Sequence, residues 1–236
     1  MKPWTLDELA RMIDHTNLKP FASAADMEKL CAEARENHFA MVAINQTQSA
    51  LCKRFLAGTD IHVGAAISFP LGQTTIASKV FDSIDAIENG ADEIDYVVNL
   101  TEVKNGNWDY VADEMAQIVA AVHERGKICK VIFENCYLDD AEKIRLCDIA
   151  SEVKPDFIKT STGFGTGGAT FDDVRLMVEH VDPAVNVKAA GGIRTADDFL
   201  EFVRLGCRRI GTSAGVAIIK EIAARMEAAE SDIIEL

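Results

Sequence analysis

The chain has 236 residues, of which 48% are hydrophobic and 26% are charged, so it can bury a sizeable core under a charged surface. Its net charge of -14 argues against nucleic acid or an anionic membrane as the main partner, because both require a basic face. The first segment, MKPWTLDELARMID, has acidic residues and no apolar signal-peptide core, and no apolar run reaches the length of a membrane span. We therefore expect a cytoplasmic protein with no membrane and no nucleic-acid partner.

The six cysteines are scattered singly and form no C-x-x-C pair. Their even number would allow three disulfides, but a chain of this length does not depend on cross-links. Isolated cysteines in apolar runs are typically buried thiols, and we expect free thiols here.

Short apolar, β-branched segments alternate along the chain with segments of helical periodicity. Eight segments are predicted to be strands: 12–16, 41–45, 62–68, 93–99, 128–134, 156–161, 186–191 and 208–213. The clearest predicted helices are SAADMEKLCAEAREN, which opens at Ser23, NWDYVADEMAQIVAAVHERG, which ends at Gly126, and TADDFLEFVRLG.

Eight strand–helix units follow one another without a linker, which predicts parallel crossovers within one domain. We predict a single-domain α/β fold, a closed (β/α)8 TIM barrel over residues 1–236, with an N-terminal helix before the first strand. A doubly wound open sheet is the alternative. Against it, no G-x-G-x-x-G follows the first strand and the glycine-rich turns come late in the chain.

Two predicted strands end in a lysine that precedes a glycine-rich loop: DFIKTSTGFG contains Lys159 and NVKAAGGIRT contains Lys188. They lie one strand–helix unit apart, so both should face the barrel mouth at the same height, where such barrels carry their active sites. Burial and a like charge both lower the pKa of a lysine, and attack on a carbonyl requires a neutral amine. The pattern therefore favours a Schiff-base lysine over the alternative, structural ion pairs with Asp14, Asp95 or Glu134.

Glycine runs follow each of the last three predicted strands, as STGFGTGG, GGIR and GTSAG. Backbone N–H groups in such loops, and at a helix N-terminus, bind phosphate, often after strands seven and eight of a barrel, although tight turns also need glycine. The predicted phosphate ligands are Gly191, Gly192, Gly211 and Ser213, with Arg194 as a cationic helper.

Patterns for other kinds of catalysis are missing from the sequence. The five histidines show neither H-x-x-x-H nor H-E-x-x-H spacing, and no G-x-S-x-G nucleophile elbow is present. We therefore expect no metal and no serine nucleophile.

Six motifs, in order between about residues 12 and 217, resemble the 2-deoxyribose-5-phosphate aldolases: IDHTNLKP, SFPLG, GADEIDYVVN, FIKTSTGF, VKAAGGIR and RIGTSAG. These are class I aldolases with a (β/α)8 barrel. The resemblance implies reversible cleavage of 2-deoxy-D-ribose 5-phosphate to D-glyceraldehyde 3-phosphate and acetaldehyde. It also implies that sugar phosphate and aldehydes are the small-molecule partners, that no cofactor is needed, and that the protein is a homodimer.

The resemblance assigns three central roles. Lys159 matches the Schiff-base lysine, Lys188 matches the lysine that keeps the first one's pKa low, and Asp95 matches the aspartate that exchanges protons with the second lysine. The residues implied to bind substrate are Asp14, Thr16, Thr160, Gly163, Gly191, Gly192, Arg194, Gly211 and Ser213.

The sequence also departs from the family pattern. Ala43 and Gln46 stand where Cys and Pro are common, and the chain ends in SDIIEL, without the tail tyrosine that several members carry. Two alternatives follow: a related class I aldolase with another donor or acceptor, and a sugar-phosphate-binding protein without turnover. The intact set of Lys159, Lys188 and Asp95 argues against the second.

Overall fold

The computed structural model describes residues 2–236, and its central feature is a closed barrel of eight parallel strands surrounded by helices. The strands are β1 (Pro3–Thr5), β2 (Ile13–Thr16), β3 (Met41–Asn45), β4 (His62–Ile67), β5 (Glu93–Val97), β6 (Ile128–Ile132), β7 (Phe157–Lys159), β8 (Asn186–Ala190), β9 (Arg209–Thr212) and β10 (Ile233–Glu235). The α-helices are α1 (Leu6–Ala10), α2 (Ala24–Glu36), α3 (Ser49–Phe55), α4 (Ile76–Glu88), α5 (Leu100–Lys104), α6 (Trp108–His123), α7 (Asp140–Val153), α8 (Phe171–His180), α9 (Ala196–Arg204) and α10 (Gly215–Ala228). Strands β2 to β9 follow each other in chain order around the barrel, and β9 closes it against β2. The predicted TIM barrel is confirmed, and α1 precedes its first strand.

All eight predicted barrel strands are present, with ends that differ from the predictions by no more than two residues. The predicted strands extend beyond the observed ones mainly at the carboxyl ends of β5, β6 and β7. Strand β6 shows the reason, because Glu134 adopts a left-handed backbone with φ 59° and ψ 57°. That conformation turns the chain out of the sheet although the apolar pattern continues to Phe133.

The alternation of side chains along each strand separates the hydrophobic core from a charged barrel interior. In β5, Ile94 and Tyr96 are fully buried in the core between strands and helices. Glu93 and Asp95 alternate with them and therefore face the barrel axis, where both are also buried. The interior of this barrel thus holds charged groups that cannot reach bulk water.

Polar residues at the helix N-termini set where the helices begin. The Ser23 side chain accepts a hydrogen bond from the backbone N–H of Asp26, and the Asp26 side chain accepts one from the N–H of Ser23. Asp139 and Glu142 form the same reciprocal pair at the start of α7. Such capping boxes satisfy backbone donors that the first turn leaves unpaired. The three helices predicted from sequence are present as α2, α6 and α9.

Strands β1 and β10 form a separate antiparallel pair that joins the two ends of the described chain. Trp4 pairs with Ile234, and Lys2 and Leu236 exchange backbone hydrogen bonds of 2.7 and 3.1 Å. Helix α10 leaves the carboxyl end of β9 and runs back along the barrel, so this pair lies at the end opposite to the loops that follow the strands. The C-terminal residues are therefore held away from the barrel mouth.

Within residues 2–236, no helix combines the length and the apolar character needed to span a bilayer.

Candidate active site

Asp95, on β5, is the carboxylate at the centre of the barrel interior. Its Oδ1 accepts a hydrogen bond from Lys130 Nζ at 2.7 Å, and its Oδ2 accepts from Lys159 Nζ at 2.9 Å and Lys188 Nζ at 2.7 Å. Lys159 and Lys188 are direct partners in the register of β7 and β8, as their spacing in the sequence predicts. Burial opposes ionisation of Asp95, but the three ammonium groups overcome it and hold the pKa of this carboxyl well below its usual range.

A second tier of charges lies beneath these lysines and closes the network into a ring. Lys130 also pairs with Glu93, and Glu93 pairs in turn with Arg209. Arg209 Nη1 lies 3.0 Å from Asp14 Oδ1, and Asp14 Oδ2 lies 2.5 Å from Lys188 Nζ. Each of these side chains is no more than 10% exposed, so the charges interact in an environment with little water.

The ring leaves Lys159 as its least compensated cation. Lys130 and Lys188 each contact two carboxylates, whereas Lys159 contacts only Asp95 and shares its oxygen with Lys188. Burial lowers the pKa of Lys159 to about 8; Asp95 opposes this shift and Lys188 adds to it. Burial also disfavours the charged form of Lys130, but there Asp95 and Glu93 prevail and raise the pKa above its usual range. The same residue type is thus held charged at one position and made readily neutral at the other.

Replacing Lys130 by Met is expected to raise the pKa of Lys159, because one repulsive ammonium disappears and Asp95 Oδ1 is released. The neutral fraction of Lys159 should then fall about tenfold at neutral pH if the pKa rises by about one unit. The measurement is the pH dependence of kcat/KM, whose acidic limb should move to higher pH. Lys127→Met is the matched control, because Lys127 pairs with Asp92 outside the ring. An unchanged profile in the Lys130 variant would contradict the coupling.

A cavity of about 290 Å³ opens above Lys159 at the carboxyl ends of the strands. Its lining consists of Thr16, Asn17, Leu18, Lys19, Lys159, Thr162, Gly163, Phe164, Ala190, Gly191, Gly192, Ile193, Arg194, Gly211, Thr212 and Ser213. The lining includes three basic side chains and no acidic one, in a chain with 38 Asp and Glu residues. Among the residues the structure describes, neither Lys19 nor Arg194 lies within 4.0 Å of a carboxylate oxygen. The cavity is therefore suited to a small anion held above Lys159.

Most of the residues predicted to bind substrate line this cavity: Thr16, Gly163, Gly191, Gly192, Arg194, Gly211 and Ser213. Asp14 lies below it, within the charged ring. Thr160 does not line the cavity, which differs from the prediction. Its hydroxyl group donates to the Ala190 carbonyl at 3.2 Å and accepts from the Ala190 N–H at 3.1 Å. As the residue after Lys159, Thr160 points to the other face of the strand and ties β7 to β8.

The loops after β7 and β8 touch at Gly168 and Gly191. A Cβ atom on Gly168 would lie 2.3 Å from the Gly191 carbonyl oxygen and 2.6 Å from its carbon. The Ala169 N–H donates to the carbonyls of Ala190 and Gly191, both at 3.1 Å. The loop after β8, which carries the predicted phosphate ligands Gly191, Gly192 and Arg194, is therefore in close contact with the loop after β7, and residue 168 has no room for a side chain.

Gly168→Ala is expected to push these loops apart and to raise KM for a phosphorylated substrate about 10- to 100-fold, because small displacements of binding groups are costly. Steady-state kinetics of the purified variant test this. Gly126→Ala is the control: its φ of 64° makes a side chain strained, but no atom lies within 4 Å of the added Cβ. The control should lose stability and keep the wild-type KM; an equal KM in both variants would contradict the expectation.

Sequence reasoning assigned no role to Glu93, Lys130 or Arg209. Each is a charged residue inside or at the start of an apolar strand, and each faces the barrel axis. A charged residue within an apolar strand was the sequence feature that could have revealed them, because a buried charge requires an oppositely charged partner.

Comparison with known proteins identifies the family. A model of the DeoC/LacD family aldolases matches residues 9–224. The chain belongs to this family. The resemblance stated from six sequence motifs is thereby confirmed.

Relatives of this DeoC/LacD family aldolase cover nearly the whole chain. The deoxyribose-phosphate aldolase of Lactobacillus acidophilus is 59% identical over 99% of this chain and 98% of its own length. That of Bacteroides thetaiotaomicron is 51% identical over 92% of this chain and 91% of its own. Among solved structures, the tetrameric deoxyribose phosphate aldolase from Aeropyrum pernix matches with a TM-score of 0.87 at 29% identity, covering 94% of this chain and 93% of that one.

Proposed function

We propose that this aldolase reversibly cleaves 2-deoxy-D-ribose 5-phosphate to D-glyceraldehyde 3-phosphate and acetaldehyde through a Schiff base on Lys159. The observation that carries the proposal is the position of Lys159. It is a buried lysine with one shared carboxylate, its pKa is lowered to about 8, and it lines a cavity without acidic side chains. Such an amine is neutral in a substantial fraction of molecules near neutral pH, as nucleophilic attack on an aldehyde requires.

In the first half of the reaction, the neutral amine of Lys159 attacks the C1 aldehyde of the open-chain sugar. Loss of water from the resulting carbinolamine gives a protonated imine that withdraws electrons from the adjacent C2. A proton then leaves the C3 hydroxyl group, the C2–C3 bond breaks, and its electron pair forms the enamine. Glyceraldehyde 3-phosphate departs from this state.

In the second half, the enamine carbon takes up a proton and water hydrolyses the imine, which releases acetaldehyde and restores Lys159. Asp95 and Lys188 are the groups we assign to the proton transfers. Their contact at 2.7 Å and the position of Asp95 Oδ2 at 2.9 Å from Lys159 Nζ support this assignment. The ring holds three cations and three carboxylates, and a charged Lys159 adds one positive charge in excess, which favours the loss of one proton from this group of side chains.

The phosphate group of the substrate is assigned to the loops after β8 and β9. Gly191, Gly192, Gly211 and Ser213 would offer backbone N–H groups, and Arg194 and Lys19 would supply positive charge from two sides of the cavity. Phosphate held there would orient the sugar with C1 toward Lys159.

An assay of 2-deoxy-D-ribose 5-phosphate cleavage, with both aldehyde products quantified, tests the proposal. Equimolar acetaldehyde and glyceraldehyde 3-phosphate support it. Cleavage of other β-hydroxy carbonyl compounds in preference to this sugar would identify a related class I aldolase instead. Binding of the sugar phosphate without any cleavage would identify a binding protein and overturn the proposal.

Assembly and compartment stay predictions: a homodimer, located in the cytoplasm. The Aeropyrum pernix relative is described as tetrameric, so assembly differs from this expectation in at least that protein. Light scattering of the purified chain distinguishes a dimer from a tetramer.

A further inference from the structure

Glu134 lies just beyond β6, in the wall of the barrel mouth, and its carboxylate is buried without a cation. The residue is 1% exposed. Within residues 2–236, no Lys, Arg or His nitrogen lies within 4.0 Å of its oxygens. A buried carboxylate normally has a basic partner, so its position requires another explanation.

Thr162 is the group that holds this carboxylate. The Thr162 backbone N–H donates to Glu134 Oε1 at 3.0 Å, and the Thr162 hydroxyl group donates to Oε2. Cys136 Sγ lies 4.0 Å from Oε1 and completes the contacts. The left-handed backbone of Glu134, uncommon for a residue with a side chain, turns the carboxylate toward this loop.

The contact continues from Thr162 into the wall of the cavity. Thr162 Oγ1 accepts a hydrogen bond from the Phe164 N–H at 3.0 Å, and Thr162, Gly163 and Phe164 all line the cavity beside Lys159. The loop also packs directly on Glu134, because a Cβ atom on Gly165 would lie 3.3 Å from Glu134 Cδ. One carboxylate thus fixes the backbone of a three-residue segment that faces the substrate.

We propose that Glu134 is a positioning residue that fixes residues 162–164 as the substrate-facing wall of the cavity and acts by hydrogen bonding to Thr162. The role in substrate binding rests on the proposed aldolase function. Glu134 makes no contact with Lys159 or with the charged ring, so it acts on binding rather than on imine chemistry.

Three variants test this: Glu134→Ala, Glu134→Gln and Thr162→Val. The Ala and Val variants should raise KM for 2-deoxy-D-ribose 5-phosphate about 10- to 100-fold, the range expected when binding groups shift. Borohydride trapping of acetaldehyde on Lys159 should stay near the wild-type rate, because this two-carbon donor does not need the wall. Glutamine can accept from the Thr162 N–H and donate to its hydroxyl group, so Glu134→Gln should restore KM to near the wild-type value. The Glu134→Ala/Thr162→Val double variant should be no worse than either single variant.

Hydrogen exchange supplies a readout that does not depend on turnover. The amides of Thr162 and Phe164 should exchange faster in Glu134→Ala than in the wild type, and those of β8 should not change. If the wild type fails to cleave the sugar phosphate, the proposed function fails, and the exchange data still decide the role of Glu134. Three results would overturn the role: wild-type exchange in Glu134→Ala, Glu134→Gln that behaves like Glu134→Ala, or an equal loss of trapping and cleavage.

Discussion

Lys159→Leu is expected to reduce cleavage by at least about 10⁴-fold, the scale seen when a covalent nucleophile is removed. Acetaldehyde followed by borohydride should leave an ethyl group on Lys159 of the wild type and on no lysine of the variant. Peptide mapping by mass spectrometry measures this directly. Lys104→Leu is the matched control, because Lys104 pairs with Glu142 at the surface and should not affect labelling. Labelling of Lys188 instead would exchange the roles assigned to the two lysines.

The stability of Lys159→Leu shows whether its loss of activity comes from the missing amine or from misfolding. Lys159 is the least compensated of these cations, and Asp95 keeps Lys130 and Lys188 as partners when Lys159 is replaced. Removing one partner of a buried ion pair is costly when it leaves the other charge uncompensated, but here Asp95 keeps two cations, so the substitution removes a repulsion and a desolvated charge without leaving an unpaired carboxylate. We therefore expect the free energy of unfolding of Lys159→Leu, measured by denaturant titration, to equal or exceed that of the wild type. A large loss of stability would contradict the charge balance inferred here.

Lys188→Met is expected to have the second-largest effect, through two separable causes. Without Lys188, the ammonium of Lys159 loses a repulsive neighbour and no longer shares Asp95 Oδ2, so its pKa rises from about 8 toward the usual lysine value. Burial, the largest cause of the lowered pKa, remains in the variant, and the neutral form of Lys159 at pH 7 falls about tenfold for each unit by which the pKa rises. Loss of the assigned proton relay should remove about another factor of 10².

The pH profile distinguishes these causes. A raised pKa means that the neutral amine is present only at higher pH, so the acidic limb of kcat/KM should move upward and part of the activity should return in alkaline buffer. The activity that is lost because proton transfer is impaired should not return at higher pH. Lys188→Arg keeps the charge but does not release a proton in the accessible pH range, so it should preserve the wild-type acidic limb at reduced kcat. If the acidic limb of kcat/KM lies at the same pH in Lys188→Met as in the wild type, Lys188 does not set the pKa of Lys159.

The elements that sequence could predict are those specified by local pattern. Each barrel strand is an apolar run between turn residues, and Lys159 and Lys188 follow from the repeat of one motif one strand–helix unit later. The pair of β1 with β10 escaped prediction because each strand has three residues and their contact joins opposite ends of the chain. The Glu134–Thr162 contact depends on a left-handed backbone that the sequence does not mark with glycine. Thr160 lies off the cavity because it follows Lys159 directly and occupies the opposite face of the strand, which membership of a motif alone does not reveal.

The cavity is lined by no acidic side chain, although the chain as a whole has a net charge of -14. This difference affects the rate at which an anionic substrate reaches the cavity. A sugar phosphate far from the protein is repelled by the net negative charge of the chain, whereas one at the mouth of the cavity is attracted by Lys19 and Arg194. Salt screens charges that lie farther apart than the Debye length, about 10 Å at 0.1 M, much more strongly than charges in contact. Added salt first removes the long-range repulsion and leaves the short-range attraction largely intact. We therefore expect the encounter of an anionic substrate with the cavity to be fastest at intermediate ionic strength.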